Sequence, residues 1–464
     1  MHLVMIGGSD AGISAALRAR ELDPAADVTV VLEDAYPNFS ICGIPYYVSG
    51  EVTHWRNLAH RTLADLEAAG MRLRLDTTAR RIDVPGRKLL VTSVEGGEEL
   101  LGYDKLVIGT GAVPVRPPIT GLSGPDALGP ADGVHLLHSM GDTFAVMHTL
   151  EQAAPASAVI VGAGYIGLEM ADALTIRGLH VTQMEQLPEV LPTVDPGLGA
   201  LVHAELARHG VEVLTGTTVQ AISTAPPGGS GRLQVQAAAA DGTAVTRTAD
   251  MVLVVVGVRP ETALAADAGA TLGSKGAVAV DPMMRTGLPD IFAAGDCVIT
   301  HHRLLGETYL PLGTTAHKQG RVAGENALGG NRQFAGSLGT QVVKIFDQAA
   351  ARTGLRDREA AAGYDPVTTE TQADDHKAYY PGSHRITIRV TGDRTTGRLL
   401  GMQLFGHKDA EIAKRVDIAA TAIYHGMAVD AVSDLDLSYT PPLGSPWDAV
   451  QMAAQAWVRE TRPR

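Results

Sequence analysis

Cys42 stands in the run Asn38-Phe39-Ser40-Ile41-Cys42-Gly43-Ile44-Pro45-Tyr46-Tyr47, a short way past a glycine-rich turn. As a thiolate it is a nucleophile, provided that a helix end or a nearby cation lowers its pKa. No second cysteine lies close to it in the chain, so it has no local partner with which to store two electrons as a disulfide. It must cycle instead through a mixed disulfide, a persulfide or a sulfenic acid. The ordinary fate of an isolated cysteine is a small buried apolar side chain. That structural role is the expectation for Cys297, which directly follows Gly295-Asp296.

The glycine-rich turn is one of a pair. Leu3-Val4-Met5-Ile6-Gly7-Gly8-Ser9-Asp10-Ala11-Gly12 and Val159-Ile160-Val161-Gly162-Ala163-Gly164-Tyr165-Ile166-Gly167 each read as apolar strand, glycine turn and helix start. Such a turn brings the backbone close to a pyrophosphate, which the free N–H groups of the helix N-terminus then bind. Glu33 and Glu185 follow about twenty positions on, where a carboxylate accepts a ribose diol. One such turn alone is weak evidence. Two complete units point to two dinucleotides and an electron relay between them. Glu185 ends the strand His180–Met184 and no arginine follows within the next few residues, which favours NADH and leaves NADPH open. Asp10 is expected as a polar cap on the first helix.

The elements that must position these residues form two or three domains, since 464 residues supply ample core. Strand and helix signals alternate to Lys105-Leu106-Val107-Ile108-Gly109-Thr110-Gly111-Ala112, and the Pro/Gly-rich stretch 114–130 reads as a linker. The second nucleotide unit opens at Ala158. Within it Pro226-Pro227-Gly228-Gly229-Ser230-Gly231 reads as a hairpin tip, and Met251–Pro260 as one buried strand leading back out. From about residue 331 the pattern changes: Arg385-Ile386-Thr387-Ile388-Arg389-Val390 alternates like a half-exposed strand, and helices are expected at Ala410–Tyr424 and Trp447–Trp457. No apolar run is long enough to span a bilayer. The N-terminus enters a strand with no cationic leader, and two distant cysteines are no secreted framework, so a cytoplasmic enzyme is expected. A net charge of −13 argues against nucleic acid or an anionic membrane as partner. No metal site is read from the sequence.

Over nearly its whole length the chain resembles the FAD-dependent pyridine nucleotide-disulfide oxidoreductase family. Gly109-Thr110-Gly111-Ala112 resembles the turn after the family's first FAD half, and Ile291-Phe292-Ala293-Ala294-Gly295-Asp296 its second flavin motif. The Cys42 run resembles the single-cysteine branch, which contains coenzyme A-disulfide reductases, persulfide reductases, NADH oxidases and NADH peroxidases. The resemblance implies an α/β, glutathione reductase-like fold: two Rossmann-like domains for FAD and NAD(P), and a C-terminal α+β dimerisation domain. It places FAD on 1–119 and 259–330, NAD(P)H on 120–258, and the interface on 331–464. Cofactor contacts carried over are Gly7, Gly8, Ser9, Ala11, Gly12, Glu33, Ala79, Thr110, Gly111, Asp296, Gly313 and Thr314, with Gly162, Gly164, Tyr165, Ile166, Gly167, Glu185 and Gly257. In relatives the aromatic at Tyr165 covers the flavin; simple helix packing is the competing role.

The same resemblance implies that electrons pass from NADH through tightly bound FAD to Cys42 and on to an external disulfide or persulfide. His317 assists, as do Tyr379 and Tyr439, which in relatives reach the neighbouring subunit's active site and make a homodimer obligatory. Ser14 and Asn38 match substrate-contacting positions. Glu21, Gly70 and Trp447 stand where the coenzyme A-binding members carry basic residues, so coenzyme A fits badly and Trp447 suggests an aromatic or compact disulfide. Arg18, Arg20 and Arg72 are the nearby residues with a charge to compensate. Three other functions use related parts. In an oxidase or peroxidase, position 10 is typically a histidine, and this chain has Asp10. An NADH-dependent electron-transfer reductase needs no flavin-facing cysteine, and a signalling flavoprotein needs no turnover.

Overall fold

The computed structural model describes residues 1–226 and 231–461, in two compact units. The first unit joins Met1–Val115, His138–Phe144 and Gly257–Ser337; the second joins Arg116–Leu137, Ala145–Val256 and Leu338–Arg464. The hairpin tip read at 226–231 falls largely outside the described residues, although its flanking strands Thr217–Thr224 and Leu233–Ala239 pair antiparallel.

The first unit is built on a five-stranded parallel sheet ordered Ile291–Ala293, Lys105–Ile108, His2–Ile6, Asp27–Val31, Met71–Arg74. Its central strands read as unbroken apolar runs because both faces are covered, so alternation would place polar atoms in the core. Val4, Met5, Leu106, Val107 and Ile108 are all fully buried. The helix Asp10–Leu22 packs on this sheet against Gly313–Ala327 with almost no side chain between them. A Cβ at Gly320 or Gly324 would come within 2.3 or 2.2 Å of the carbonyl oxygens of Ala11 and Ala15. The two helix N-termini are therefore held together beside the first glycine turn. The strand–helix alternation expected up to residue 110 is interrupted by an antiparallel sheet of Thr77–Asp83, Lys88–Ser93 and Glu98–Gly102.

The second unit repeats the plan. Glu212–Leu214, His180–Met184, Ser157–Val161, Met251–Val254 and Val134–Leu136 form a five-stranded parallel sheet, with a three-stranded antiparallel sheet from Thr217 to Ala249. The run expected as one strand over 251–260 is two. Met251–Val254 belongs to this sheet, whereas Val258–Pro260 pairs with Ala112–Pro114 in the first unit. An unbroken apolar run carries no local mark of the change from one domain to the next.

A five-stranded antiparallel sheet completes the second unit, ordered Gln341–Ile345, Gln348–Gly354, Leu399–His407, Arg385–Asp393, Pro366–Asp374. The strand Arg385–Asp393 is buried along most of its length, not half-exposed, because it has a strand on either side and Trp457 against it. A Cβ at Gly392 would meet the Trp457 ring at 2.5 Å, and Trp457 Nε1 donates to the Val367 carbonyl at 2.8 Å. The helices lie at Ile412–Tyr424 and Ala449–Thr461, each starting two residues later than expected. Among the described residues no helix is long and apolar enough to cross a membrane.

Arginines tie this sheet to the nucleotide-type sheet of the same unit. Arg352 donates to the Thr193 carbonyl at 2.6 Å, and Arg356 to the carbonyls of Pro192 at 2.6 Å and Val194 at 3.0 Å. Glu359 bonds both guanidinium groups. Burial works to raise its pKa, but the hydrogen bonds from Arg356 and Arg352 outweigh it and hold the carboxyl at about 2 against an ordinary 4.5. A carboxyl with a depressed pKa stabilises the fold above its ordinary value, and loses that contribution as pH falls through the folded one. Glu359→Gln should cost roughly 1–3 kcal/mol at neutral pH, a range that allows for partial exposure. The gap to the wild type should close as pH falls from 4.5 towards about 2. Denaturation curves across that range test this, and equal stability of the two proteins at pH 7 would refute it.

Candidate active site

At the first turn the strand His2–Ile6 ends at Gly7, and the helix begins at Asp10 with Ser9 as its cap. A Cβ at Gly7 would lie 2.1 Å from the Gly109 carbonyl oxygen, and one at Gly12 1.9 Å from that of Gly7. No side chain fits, so a ligand's pyrophosphate can reach bare backbone N–H groups here. Ala11 packs at this turn, and a Cβ at Gly295 would sit 2.8 Å from its Cβ. The Gly8 carbonyl accepts from the Asn38 N–H at 2.7 Å, which ties the Cys42 segment to the turn. Asn38 is 1% exposed, and its Oδ1 has no hydrogen-bond partner, nor has the buried hydroxyl of Tyr309. A side-chain-free cradle with orphaned polar atoms beside it fits a bound dinucleotide.

The other residues expected at the first turn are placed as follows. Glu33 lies exposed just past the strand Asp27–Val31, within 3.4 Å of the Thr78 hydroxyl, and Ala79 sits at a bulge in the neighbouring strand. Thr110 donates to the Glu261 carbonyl at 2.5 Å beside Gly111. Gly313 and Thr314 start the helix whose N-terminus faces the turn; a Cβ at Gly313 would sit 2.8 Å from Asp10 Oδ2. Burial, then the charge of Asp10, pushes Asp296 up to about 6 against a hydrogen bond from the Leu312 N–H.

Asp10 corrects one expectation. It occupies the first helical position, and the cap is Ser9. The Asp10 carboxylate lies 3.3 Å from His317 Nε2, while His317 Nδ1 lies 2.8 Å from the Ser14 hydroxyl. Burial raises the Asp10 pKa, and His317 and His60 pull it down. Ser14, His317 and Asp10 are thus one connected group. His60, which sequence reasoning missed, stands beside them with its ring 6.2 Å from that of His317. No motif announces it; only the loop bond from the His60 N–H to the Asn38 carbonyl at 2.9 Å brings it there.

Cys42 lies on a short 3-10 turn, Ile41–Gly43, ahead of the helix Ile44–Ser49, and is exposed. Cys297 is fully buried, its Sγ 3.4 Å from the Ala294 carbonyl, and burial raises its pKa. The buried, inert role therefore belongs to Cys297, and the accessible thiol to Cys42. The arginines near the altered coenzyme A positions are already engaged. Arg18 pairs with Glu325 at 2.6 Å and Glu21 at 3.0 Å, and Arg72 pairs with Asp27 at 2.6 Å. Arg20 donates to the Ala26 and Ala69 carbonyls and fills the space a side chain at Gly70 would need.

In the second unit, Gly162, Gly164, Tyr165, Ile166 and Gly167 form the equivalent turn, and a Cβ at Gly167 would lie 2.2 Å from the Gly162 carbonyl oxygen. Glu185 reaches back to it: one carboxylate oxygen accepts from the Ala163 N–H at 2.8 Å and the other from the Leu187 N–H at 2.9 Å. These bonds orient the carboxylate and leave lone pairs for a diol. The Tyr165 hydroxyl accepts from Thr193 at 3.2 Å and is pushed up to about 12, chiefly by burial. Gly257 follows the last strand of this sheet, at φ 105. Tyr379 and Tyr439 lie near each other in the second unit. Both are exposed, as are Tyr380, Leu443 and Trp447.

Two strand–glycine–helix turns, each followed by its carboxylate, and one accessible thiol on a segment bonded to the first define a two-dinucleotide oxidoreductase. Residues 1–320 match the model of the pyridine nucleotide-disulphide oxidoreductase family, and 340–449 match that family's dimerisation domain. The chain belongs to that family, and it is an enzyme that uses FAD and NAD(P)H. It is 33% identical to the NAD(P)H sulfur oxidoreductase (CoA-dependent) of Pyrococcus furiosus, over 98% of both chains. It is 31% identical to the NADH oxidase of Methanocaldococcus jannaschii, again over 98% of both. A solved NAD-dependent persulfide reductase from A. fulgidus is 36% identical, with a TM-score of 0.91 over 99% of this chain and 83% of that one.

The two glycine turns yield a test by sign. In a helix, alanine is favoured over glycine by about 0.8–1.0 kcal/mol, so without the clash Gly12→Ala and Gly167→Ala would stabilise. Both should instead lower the melting temperature by several degrees. Gly102→Ala, whose Cβ meets nothing within 4 Å, should leave it unchanged or slightly raised. A more stable Gly12→Ala protein would show that the turn has room to spare.

Proposed function

We propose that the enzyme carries two electrons from NADH to Cys42 and on to the sulfur–sulfur bond of an external disulfide or persulfide. The observation that carries this reading is the accessible Cys42, on the segment that Asn38 fastens to the first glycine turn, with the other cysteine buried. Bound FAD supplies the conversion of a hydride into an electron pair. The Cys42 thiolate attacks one substrate sulfur, forming a mixed disulfide and expelling a thiolate, which takes a proton from His317. Reduction of the mixed disulfide restores the Cys42 thiolate and frees the second thiol. NADH, one proton and R–S–S–R thus become NAD⁺ and two R–SH; a persulfide gives R–SH and hydrogen sulfide.

The cofactor contacts named from the sequence are assigned to the two glycine turns, FAD at Gly7–Gly12 and NADH at Gly162–Gly167. Glu185 selects NADH by accepting the ribose diol and repelling a 2′-phosphate. Glu21, Gly70 and Trp447, together with the engaged Arg18, Arg20 and Arg72, favour a compact or aromatic disulfide over coenzyme A disulfide. The exposed Tyr379, Tyr439 and Trp447 suit a homodimer interface at which Tyr439 serves the neighbouring subunit. Oxygen is the rival oxidant, supported by the likeness to a protein named NADH oxidase.

The deciding experiment is an anaerobic NADH titration followed by a screen of disulfides, coenzyme A persulfide and peroxide as oxidants. Reduction should raise a long-wavelength thiolate-to-flavin band in the wild type that is missing from Cys42→Ser. That variant should also lose disulfide turnover by about a thousandfold or more while still passing electrons from NADH to an artificial dye. A variant that kept the band and the turnover would overturn the role of Cys42.

Donor choice is tested separately. NADH should exceed NADPH in kcat/KM, and Glu185→Ala should narrow that gap mainly through KM. Equal use of both donors by the wild type would remove the assignment.

A further inference from the structure

Asp10, His60 and His317 come from three separate parts of the first unit, yet each offers a ligand atom within 4.8 Å of the other two. We propose that these three side chains form a binding site for one zinc-type divalent cation. The site takes up the His317 ring nitrogen that the disulfide reading uses as a proton donor, so zinc binding and that role exclude each other at any one moment.

The donor set is two imidazoles and one carboxylate, which suits Zn²⁺ and its neighbours in the first transition row and not Mg²⁺ or Ca²⁺. Tetrahedral bonds of about 2.0–2.2 Å place neighbouring ligand atoms roughly 3.3–3.6 Å apart. His317 Nε2 and Asp10 Oδ1 already stand 3.3 Å apart. His60 is exposed on a loop, so it can close the remaining gap by a side-chain rotation. His317 also has the outer support typical of a metal ligand: Ser14 Oγ, 2.8 Å from Nδ1, fixes the ring and leaves Nε2 directed at Asp10. Gly313 adds room, since any larger residue would press its Cβ to within 2.8 Å of Asp10 Oδ2. Three protein ligands leave one position for water or a thiolate, the pattern of a reactive and not a purely structural zinc. The sequence gives no warning because no pair of these ligands shares a helix turn or hairpin.

The test uses the FAD-loaded enzyme, stripped with chelator and titrated with Zn²⁺ by calorimetry. One Zn²⁺ per chain should bind to the wild type, and His60→Asn and Asp10→Asn should each weaken binding at least tenfold. Flavin content and melting temperature of each variant serve as the check that it is folded. Cys42 is the competing ligand, so Cys42→Ser should bind Zn²⁺ within about threefold of the wild type. X-ray absorption of the zinc-loaded Cys42→Ser protein should show only nitrogen and oxygen neighbours. Absence of saturable binding, an undiminished affinity in His60→Asn, or loss of binding in Cys42→Ser would each overturn the inference. Disulfide turnover by the zinc-free wild type is a separate measurement: its failure would sink the disulfide reading and leave zinc binding as measured.

Discussion

Both nucleotide turns depend on the close approach of a helix start to a strand end. Hydrogen alone fits between residue 12 and the Gly7 carbonyl, and between residue 167 and the Gly162 carbonyl. Because each helix is pinned at its first turn, its unpaired N–H groups sit at a defined place above the sheet. The remaining features are arranged around those two places. In the first unit a second helix is drawn in by glycines of its own, and the Cys42 segment is fastened through Asn38 and Gly8. In the second, Glu185 is held by a backbone N–H of the turn itself. The same geometry, used twice, gives one chain two dinucleotide cradles of different surroundings.

Those surroundings differ most in how they treat carboxylates. In the second unit three acids are matched by cations: Asp195 by Arg389, with Gln403 beside it, Asp172 by Lys344, with the Phe346 N–H, and Glu359 by two arginines. Such pairs hold elements in place. Around the first turn, Asp10 and Asp296 lie partly buried with only histidines or a backbone N–H to offset them, and burial lifts both. Groups poised in this way exchange protons or accept cations readily, whereas a matched ion pair does neither. The contrast separates a scaffold from a place where chemistry can happen.

How much of this was legible depended on whether the signal was local. Both strand–turn–helix units, the strand His180–Met184 and the two C-terminal helices could be read because each carries its periodicity and its glycines within a few residues. The break at 254–258 could not, since an apolar run is the same on either side of a domain change. Arg385–Asp393 alternates in sequence, yet the polar side is covered too, by neighbouring strands and Trp457. Cys42 was singled out by the run around it, and Ser14 and His317 only by the family resemblance. The grouping of Asp10 with His317 and His60, and the arginine tie at Glu359, are meetings of remote segments that no local pattern encodes.

The scattered make-up of the first unit also matters before the protein is complete. Its sheet places Ile291–Ala293 against Lys105–Ile108, on the far side of an entire intervening domain. At about 5–20 residues per second, a ribosome needs roughly 10–40 s to travel from one strand to the other. Through that interval the strand Lys105–Ile108 presents an open edge, apolar and uncharged past its first residue, to any extended segment nearby. A nascent chain in this state is vulnerable to wrong pairing with its own later strands or with the next chain on the same message. Slowing the ribosome ahead of residue 291 would prolong the time for which that edge stays open.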